Sequence, residues 1–140
     1  MGVNLRVGIT TTASPTSGRE FVLDRGIGQV THYPGGIVIV STARDGGSTN
    51  LRKGLTMGKQ TTGGKYAQYD DTASDGTQTA RGILDEEVDL KDPDGTAVDA
   101  HGKLMVIRGV VDNGALFGVD ANGRADMDQG RNGAAIVFIV

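Results

Sequence analysis

The sequence predicts a small, mainly β fold in a single domain, with little or no helix. Three apolar stretches rich in β-branched residues carry this prediction: 36–42 (GIVIVST), 103–112 (KLMVIRGVVD) and 134–140 (AAIVFIV). Runs of this kind are typical of strands that are buried on both faces. Between them lie short polar segments, and the 140 residues include 23 glycines, against roughly 7% in an average chain. We therefore expect tight turns between about nine short strands, without an internal repeat.

The first residues alternate apolar and polar side chains, as a half-buried strand does. The apolar members are Val3, Leu5, Val7 and Ile9, and Arg6 is one of the polar members. The next segment, 10–18 (TTTASPTSG), is small, polar and interrupted by proline, as a flexible linker is. Two interpretations remain open. The segment is an arm that adds a strand to another protein's sheet, or it is an edge strand of its own domain followed by a long loop.

Short strands are predicted at residues 20–24 and 27–33, with a turn at 34–36. Turn chemistry then dominates residues 51–90, which hold Gly54, Gly58, Gly63, Gly64 and Gly76. Within this stretch we expect a β-hairpin, because two strand-like triplets flank a glycine-rich turn. The triplets are 55–57 and 65–67, and the turn is 61–64.

Residues 82–90 permit two interpretations. A helix would place Ile83 and Val88 on one face, although no helix stop follows before Pro93. A strand would direct Leu84 and Val88 to one side and three carboxylates to the other. These carboxylates are Asp85, Glu87 and Asp89. We favour the strand.

The last third of the chain is predicted to contain two polar connections and an apolar end. Residues 92–95 (DPDG) are expected to form a turn. Residues 120–133, rich in Asp, Asn and Gly, are expected to form a loop. The apolar residues 134–140 are expected to be packed rather than to form a free tail.

The charge is uneven along the chain. The net charge is −3, with +4 in residues 1–60 and −7 in residues 61–140. A negative total argues against nucleic-acid binding driven by phosphate neutralisation. A basic N-terminal face that meets an acidic partner and ordinary surface variation explain the asymmetry equally well.

Composition also limits the cellular setting. Cysteine is absent, so no disulfide or thiol chemistry is expected. No signal-peptide pattern begins the sequence, and its longest apolar run, 134–140, is too short to span a membrane. We expect a soluble protein that is made in a cytoplasm.

Sequence patterns for nucleotide and metal binding are incomplete. Gly58 and Gly63 have the glycine spacing of a phosphate loop, but Gly64 occupies the position of its lysine. Residues 120–128 contain several side chains with oxygen atoms, as a calcium-binding loop does. However, Gly123 is at position four of this segment, whereas the EF-hand loop has its glycine at position six. An Asx-rich turn explains this segment better, and no cofactor or metal is expected.

Catalytic signatures are weak as well. Alternating acids at 85, 87 and 89 can support glycoside hydrolysis, but a half-exposed strand has the same alternation. The two histidines, His32 and His101, are not near a recognisable nucleophile motif. We interpret both as plain surface residues, and no enzymatic activity is expected.

Residues 54–116 carry an ordered series of short motifs. They are 54–59 (GLTMGK), 64–66 (GKY), 69–70 (YD), 73–76 (ASDG), 80–84 (ARGIL), 88–89 (VD) and 106–116 (VIRGVVDNGAL). This order resembles the head decoration proteins of lambda-like tailed bacteriophages. The resemblance covers roughly residues 20–118 and depends on the succession of motifs more than on any one of them.

The resemblance implies a non-enzymatic cement protein with a β-clip or β-tulip fold. Members of that family sit as homotrimers at local three-fold sites on the outer surface of the expanded phage head. There they cement the major capsid protein and stabilise the head against internal DNA pressure. The implied partners are therefore the major capsid protein and further copies of this chain, with no direct nucleic-acid contact and no membrane. Such a protein is made in the host cytoplasm and ends up on the virion.

The family's N-terminal arm orders on the capsid and joins a strand of the coat protein. With the resemblance, we favour residues 1–18 as a capsid-binding arm and 19–140 as the decoration domain. The arm residues expected to bind are Val3, Leu5, Arg6, Val7 and Ile9. The residues expected in the core or in trimer-interface strands are Ile37, Val38, Ile39, Val40, Ile136, Val137, Phe138 and Ile139.

The chain departs from the family near its end. Many members carry an Ala-rich helix before a short terminal strand, whereas residues 120–133 hold Asp, Asn and Gly. This difference argues against the family's small helical subdomain. The alternatives are another phage structural β module, at a tail or fibre tip, or a small carbohydrate-binding or hydrolase domain.

Overall fold

The computed structural model describes residues 18–128 and 131–139. In this part of the chain the fold is mainly β with little helix, as predicted. The elements are β1 (Thr31–His32), β2 (Ile37–Ile39), β3 (Asn50–Leu51), β4 (Thr56–Lys59), β5 (Tyr66–Gln68), β6 (Ala80–Leu84), β7 (Val88–Asp89), β8 (Ala100–Lys103), β9 (Met105–Asp112), α1 (Ala121–Asp126) and β10 (Ala135–Ile139). Two 3₁₀ turns, Asn113–Ala115 and Arg131–Gly133, complete them. No helix in the described ranges is long and apolar enough to cross a membrane.

Strand β9 is the centre of the fold. The main sheet has the order β1-β9-β6-β4-β5-β2-β8, and β10 also pairs with β9. β1 and β6 are antiparallel to β9, whereas β10 is parallel to it. A separate two-stranded sheet is formed by β3 and β7. The eight residues of β9 therefore contact both the first and the last described strand.

The predicted hairpin at residues 55–67 is confirmed. β4 and β5 are antiparallel, with Met57 opposite Gln68 and Lys59 opposite Tyr66. The connecting turn places Gly63 and Gly64 at φ values of 83° and 69°, which glycine adopts without the steric cost of a side chain. The turn chemistry read from the sequence therefore sets this register.

Two of the predicted long strands are shorter in the structure, because side chains capture their backbone groups. At the end of β2, Ser41 N donates to Asp99 Oδ1 at 2.8 Å. Between β8 and β9, Leu104 N donates to Glu86 Oε2 at 2.8 Å, and Leu104 O accepts from Asp85 N at 2.9 Å. The stretch 103–112 is thus divided at Leu104 into two strands.

The strand interpretation of residues 82–90 is only partly correct. β6 ends at Leu84 and β7 begins at Val88, so a bend separates two strands. Asp85 lies at this bend with only 8% of its surface exposed. The prediction that Asp85 points outward with Glu87 and Asp89 is therefore wrong. Residues 20–33 also form less strand than predicted, namely one bridge from Val22 to Val111 and the short β1.

The prediction of a loop at residues 120–133 is wrong, because α1 lies there. The Asp120 carboxylate caps this helix and accepts from Gly123 N at 2.7 Å. The same oxygen accepts from the Tyr69 hydroxyl at 2.9 Å. A Cβ on Gly123 would stand 3.0 Å from the Tyr69 ring, so the ring packs closely against the helix. A short helix therefore precedes the terminal strand, contrary to the argument from the composition of this segment.

Two apolar clusters form the core, one on each side of the central strands. The first includes Ile37, Ile39, Leu51, Leu84 and Met105. The second includes Phe21, Ile83, Val106, Met127 and Ile136. β6 and β9 contribute to both clusters, because consecutive residues of a strand point to opposite faces. The middle of the sheet is thus buried on both faces.

Candidate functional site

The first described residues show where an N-terminal arm would leave the domain. Gly18 packs against the main chain of Lys53, and a Cβ at Gly18 would stand only 1.9 Å from the Lys53 carbonyl oxygen. Phe21 is fully buried, and its carbonyl accepts from Asp112 N at 2.7 Å. Leu23 N donates to Val110 O at 2.9 Å. Residues 21–23 are therefore fixed along one side of β9. We call residues 18–25 the arm root.

The predicted arm residues Val3, Leu5, Arg6, Val7 and Ile9 lie outside the residues that the structure describes. Their role in binding, and the division of the chain at residue 18, stay predictions.

Beside the arm root, four charged or titratable side chains surround the buried carboxylate of Asp85. Arg25 donates to both Asp85 oxygens, with Nη1–Oδ2 at 3.0 Å and Nη2–Oδ1 at 2.7 Å. It also binds both oxygens of Glu20, at 2.9 and 2.8 Å. His32 Nε2 stands 2.6 Å from Asp85 Oδ2, and Lys53 Nζ stands 3.8 Å from Asp85 Oδ1. We call these five residues the Asp85 cluster.

The Asp85 cluster joins segments that are far apart in the sequence. Glu20 and Arg25 belong to the arm root, His32 to β1, and Lys53 to the loop before β4. Asp85 follows β6 and completes the set. Glu20 also accepts from the backbone N–H groups of residues 21 and 22, at 3.0 and 3.1 Å. The cluster therefore fastens residues 20–32 to the end of β6.

Electrostatics in the cluster favour the charged carboxylates. Burial acts to raise the pKa of Asp85, but hydrogen bonds from Arg25 and His32 outweigh it and hold the pKa below its usual value. The hydrogen bond from Arg25 is the main reason that the pKa of Glu20 falls to about 2. Both groups are ionised at neutral pH, so the cluster combines two anions with the cations of Arg25 and Lys53.

The cluster contains the histidine–carboxylate pair of a catalytic triad but not a nucleophile. A triad needs a hydroxyl or thiol within hydrogen-bond reach of the imidazole. In the described structure, the His32 ring is hydrogen-bonded to the Asp85 carboxylate. The interpretation of His32 as a plain surface residue is nevertheless wrong, because its ring is half-buried against that carboxylate. His101 is exposed, as interpreted.

The two remaining acids of the alternating set have separate partners. Glu87 accepts a hydrogen bond from the Asn50 side chain, and Asp89 accepts from Lys91 N at 3.0 Å. Asp85 is buried in its own cluster. Each of the three carboxylates therefore has its own partners, and the structure does not assemble them into a catalytic pair. The Asp-rich segment 120–128 is used for helix capping instead. Among the described residues, no group of three acidic or histidine side chains has the arrangement of a metal site.

The predicted core or interface residues divide into buried and exposed groups. Ile37, Ile39 and Ile136 are buried. Val38, Val40 and Phe138 are half-buried. Val137 and Ile139 are 54% and 46% exposed, so one face of β10 is both apolar and open. Whether any of these residues contacts another subunit stays a prediction.

One surface feature was missed by the sequence interpretation. A depression of about 330 Å³ is lined by Tyr33, Lys59, Tyr66, Arg81 and residues near them. The Arg81 Nε atom is buried and has no hydrogen-bond partner in the described part of the chain. The two tyrosine rings stand edge to face at 6.2 Å. The residues that line this depression are distant from one another in the sequence. No motif or spacing could therefore have indicated this cationic and aromatic surface.

Comparison with known protein families shows that much of the chain matches a described family. The family model described as "Bacteriophage lambda head decoration protein D" matches residues 29–131. The match runs from just before β1 through β9 and α1, and it leaves out the N-terminal segment and β10. A search of curated proteins finds no match to the chain.

Proposed function

Because the chain belongs to the bacteriophage lambda head decoration protein D family, we propose that it binds the major capsid protein as a homotrimer at local three-fold sites. Proteins of this family are structural components of the virion, bound to the outer surface of the head. The chain is therefore a capsid decoration protein. The family match over residues 29–131 is the observation that carries the proposal.

The proposed contact with the capsid is made by the arm predicted at residues 1–18, through the residues that precede Gly18. Its alternating residues, Val3 to Ile9, have the pattern of a strand that can add to the edge of a coat-protein sheet. The structure supports a fixed attachment where the C-terminal end of the arm joins the domain. Phe21 is buried and the Asp85 cluster fastens residues 20–32, so the arm starts from a fixed point on the domain.

The proposed effect on the head follows from mass action. A protein that binds the expanded lattice but not a ruptured one stabilises the lattice by about 2.7 kcal/mol per site at a free concentration of 100 Kd. Three arms on one trimer add avidity, because after one arm binds the others act at high effective concentration. Weak individual strand contacts are then sufficient to resist the pressure of packaged DNA.

We propose no catalytic role. The His32 imidazole, which a hydrolase would use as a base, is held by the Asp85 carboxylate at 2.6 Å. Arg25 neutralises the same carboxylate from the other side. This arrangement favours a structural use of the cluster.

Co-sedimentation with empty, expanded heads tests the proposal. The full chain should sediment with the heads, and a chain lacking residues 1–17 should remain in the supernatant while keeping its circular dichroism spectrum. In the full chain, Leu5→Asp should weaken binding by about tenfold or more, because it places a charge on the apolar face of the added strand. The matched control Asn4→Asp adds the same charge to the polar face and should bind nearly normally.

Equal binding by the truncated and full chains would eliminate the arm but not the decoration role. Absence of binding by the full chain would contradict the decoration role itself. Cryo-EM of virions then places the protein, since density at capsid three-folds supports the proposal and density at the tail contradicts it. Light scattering of the purified protein reports whether the trimer exists before it reaches the head.

A further inference from the structure

We propose that a cationic groove on one copy of this chain receives carboxylate side chains from a second copy. The groove is lined by Tyr33, Lys59, Tyr66, Arg81 and Arg108. This inference rests on the proposed homotrimer and names a contact between its subunits. Its basis is that the chain carries unpaired cations in one place and unpaired anions in another.

The cationic groove consists of two depressions of about 330 Å³ each. Both depressions are lined by Ile107 and Gly133, so they adjoin. The first contains Lys59 and Arg81, and the second contains Arg108. These three residues belong to β4, β6 and β9 of the main sheet. Strands hold side chains more precisely than loops do, so the sheet presents three positive charges in one fixed region.

The acids of the chain do not neutralise this groove. All 17 aspartates and glutamates lie within residues 18–128. The ion pairs described there join them to other cations, and none includes Lys59, Arg81 or Arg108. Residues 1–17, 129–130 and 140 contain neither aspartate nor glutamate. Like charges in one groove repel each other, so an acidic side chain that relieves this repulsion has to come from another molecule.

The groove offers hydrogen-bond donors as well as charge. Arg81 Nη1 donates to Asn132 O at 3.3 Å, while Arg81 Nε is buried without a hydrogen-bond partner among the described residues. Lys59 Nζ stands 6.0 Å from the centre of the Tyr66 ring. Burial raises the pKa of Tyr66, so its hydroxyl keeps its proton at neutral pH. Guanidinium, ammonium and phenol donors together suit a carboxylate, which accepts several hydrogen bonds.

The complementary surface is the segment 86–94, which we call the acidic edge. It contains five acids and one lysine, so its net charge is −4. Glu87, Asp89 and Asp94 are exposed, and the ion pair described for this segment joins Glu86 to Lys103. The strand of this segment, β7, belongs to the separate two-stranded sheet. The described acidic edge therefore leaves the cationic groove of its own chain unpaired and is free to meet that of another.

Symmetry favours a second copy as the partner. A ring of identical subunits needs two different, complementary surfaces on each subunit, and this chain has one of each sign. A nucleic acid is disfavoured because the net charge of the chain is −3. Exposed ion pairs are individually weak, but a closed ring repeats them at every interface and makes the last contact intramolecular. We therefore assign the groove to the acidic edge of the neighbouring copy.

Zero-length cross-linking on decorated heads tests this contact. A water-soluble carbodiimide forms an amide between an amine and a carboxylate that touch. The heads carry a mixture of natural and isotopically heavy copies, so a link between copies joins one light and one heavy peptide. We expect Lys59 to be joined to Glu87, Asp89 or Asp94 of another copy. The matched control Lys59→Arg keeps the charge but has no amine for this reaction, so it should lose this product and keep the others.

Charge reversal provides a second test. Lys59→Glu alone, or Glu87→Lys with Asp94→Lys, should weaken head binding about tenfold, because like charges then meet between copies. All three substitutions in one chain should return the affinity to within about threefold of the natural value, because opposite charges meet again. Damage to folding would accumulate in the combined variant, so recovery reports the contact itself.

The outcomes separate this inference from the proposed function. Decorated heads on which Lys59 is linked only within its own copy, to the coat protein or to no carboxylate would overturn the inference and leave the decoration role intact. A combined variant that binds no better than the single reversals would overturn it as well. Failure of the natural chain to bind heads would contradict the proposed function and this inference with it.

Discussion

At the scale of single residues, Asp85 is the most instructive position. A buried carboxylate is stable only when its lost hydration is replaced, and here Arg25 and His32 replace it. Removal of such a charge leaves its cationic partners without their acceptor. Asp85 therefore stabilises the attachment of the arm root, although its own burial is unfavourable.

The cluster predicts a loss of stability in acid. The pKa of Glu20 is about 2 in the folded chain against a usual 4.5, and the pKa of Asp85 is also lowered. A lowered pKa means that the stabilisation is complete above the unfolded value and is lost as the pH falls toward the folded one. The urea midpoint of the natural chain should therefore fall between about pH 5 and pH 2.

The double variant Glu20→Gln/Asp85→Asn checks this cause. At pH 7 it should be less stable than the natural chain by about 2 kcal/mol, because Arg25 and His32 lose a buried anionic partner. Its urea midpoint should then fall less on acidification than that of the natural chain, although it still falls because other acids with lowered pKa values, such as Asp45 and Asp99, remain. Asp89→Asn, an exposed acid on the next strand, is the matched control and should follow the natural curve. Parallel decline of the double variant and the natural chain would assign the acid sensitivity to other groups.

The Asp85 cluster was beyond prediction from sequence for a physical reason. Asp85 is 60 residues from Arg25 and 53 from His32, so no local spacing connects them. Its position in an alternating run of acids indicates an exposed face. Only the bend after β6, which depends on Leu104 and its contacts, turns this carboxylate inward.

At the scale of elements, α1 is a helix that is stabilised by its contacts and not by the intrinsic helix propensity of its residues. Its six residues, ANGRAD, contain glycine and asparagine, which are poor helix formers. A helix this short is not stable alone. The Asp120 cap and the Tyr69 ring supply what the sequence of the helix lacks.

We expect Asp120→Ala to destabilise the protein by about 1–2 kcal/mol. The substitution removes the cap from Gly123 N and leaves the Tyr69 hydroxyl without its acceptor. Asp128→Ala, a nearby acid after the helix, should change the unfolding free energy by less than about 0.5 kcal/mol. Urea unfolding of the three proteins provides the comparison. A cost for Asp128→Ala equal to that of Asp120→Ala would show that net charge matters here and capping does not.

The elements differ in how far the sequence predicted them. The hairpin of β4 and β5 was predictable because its pairing is local and its turn needs glycine at Gly63 and Gly64. The strands at 36–42 and 103–112 were predicted in type but not in length, because distant side chains end them. α1 was missed because residues 120–133 lack apolar periodicity and resemble a loop. The elements that could not be predicted from the sequence are thus those that depend on contacts between distant residues.

At the scale of the whole molecule, the domain should fold without its arm but not without the arm root. Removal of residues 1–17 leaves Gly18 and everything after it and should change the unfolding free energy by less than about 0.5 kcal/mol. Removal of residues 1–22 also takes away Phe21, which is fully buried in the second core cluster. That loss should cost at least about 3 kcal/mol.

Thermal unfolding of the two shortened chains measures this boundary. The chain starting at residue 18 should melt with the natural protein, and the chain starting at residue 23 should melt well below it. Equal melting of both shortened chains would show that the attachment of Phe21 to β9 contributes little.

The parallel pairing of β10 on β9 has a consequence for chain connectivity. Phe21 and Ile139 flank Asp112 from opposite sides, so the described ends of the chain are neighbours. A circular permutant is therefore compatible with this architecture: a short peptide can join the two ends, and the chain can be opened at the exposed turn 93–95. In such a permutant every strand keeps its place in the sheet although the order of synthesis changes. We therefore expect the fold to depend on which segments meet at β9 and not on which of them is made first.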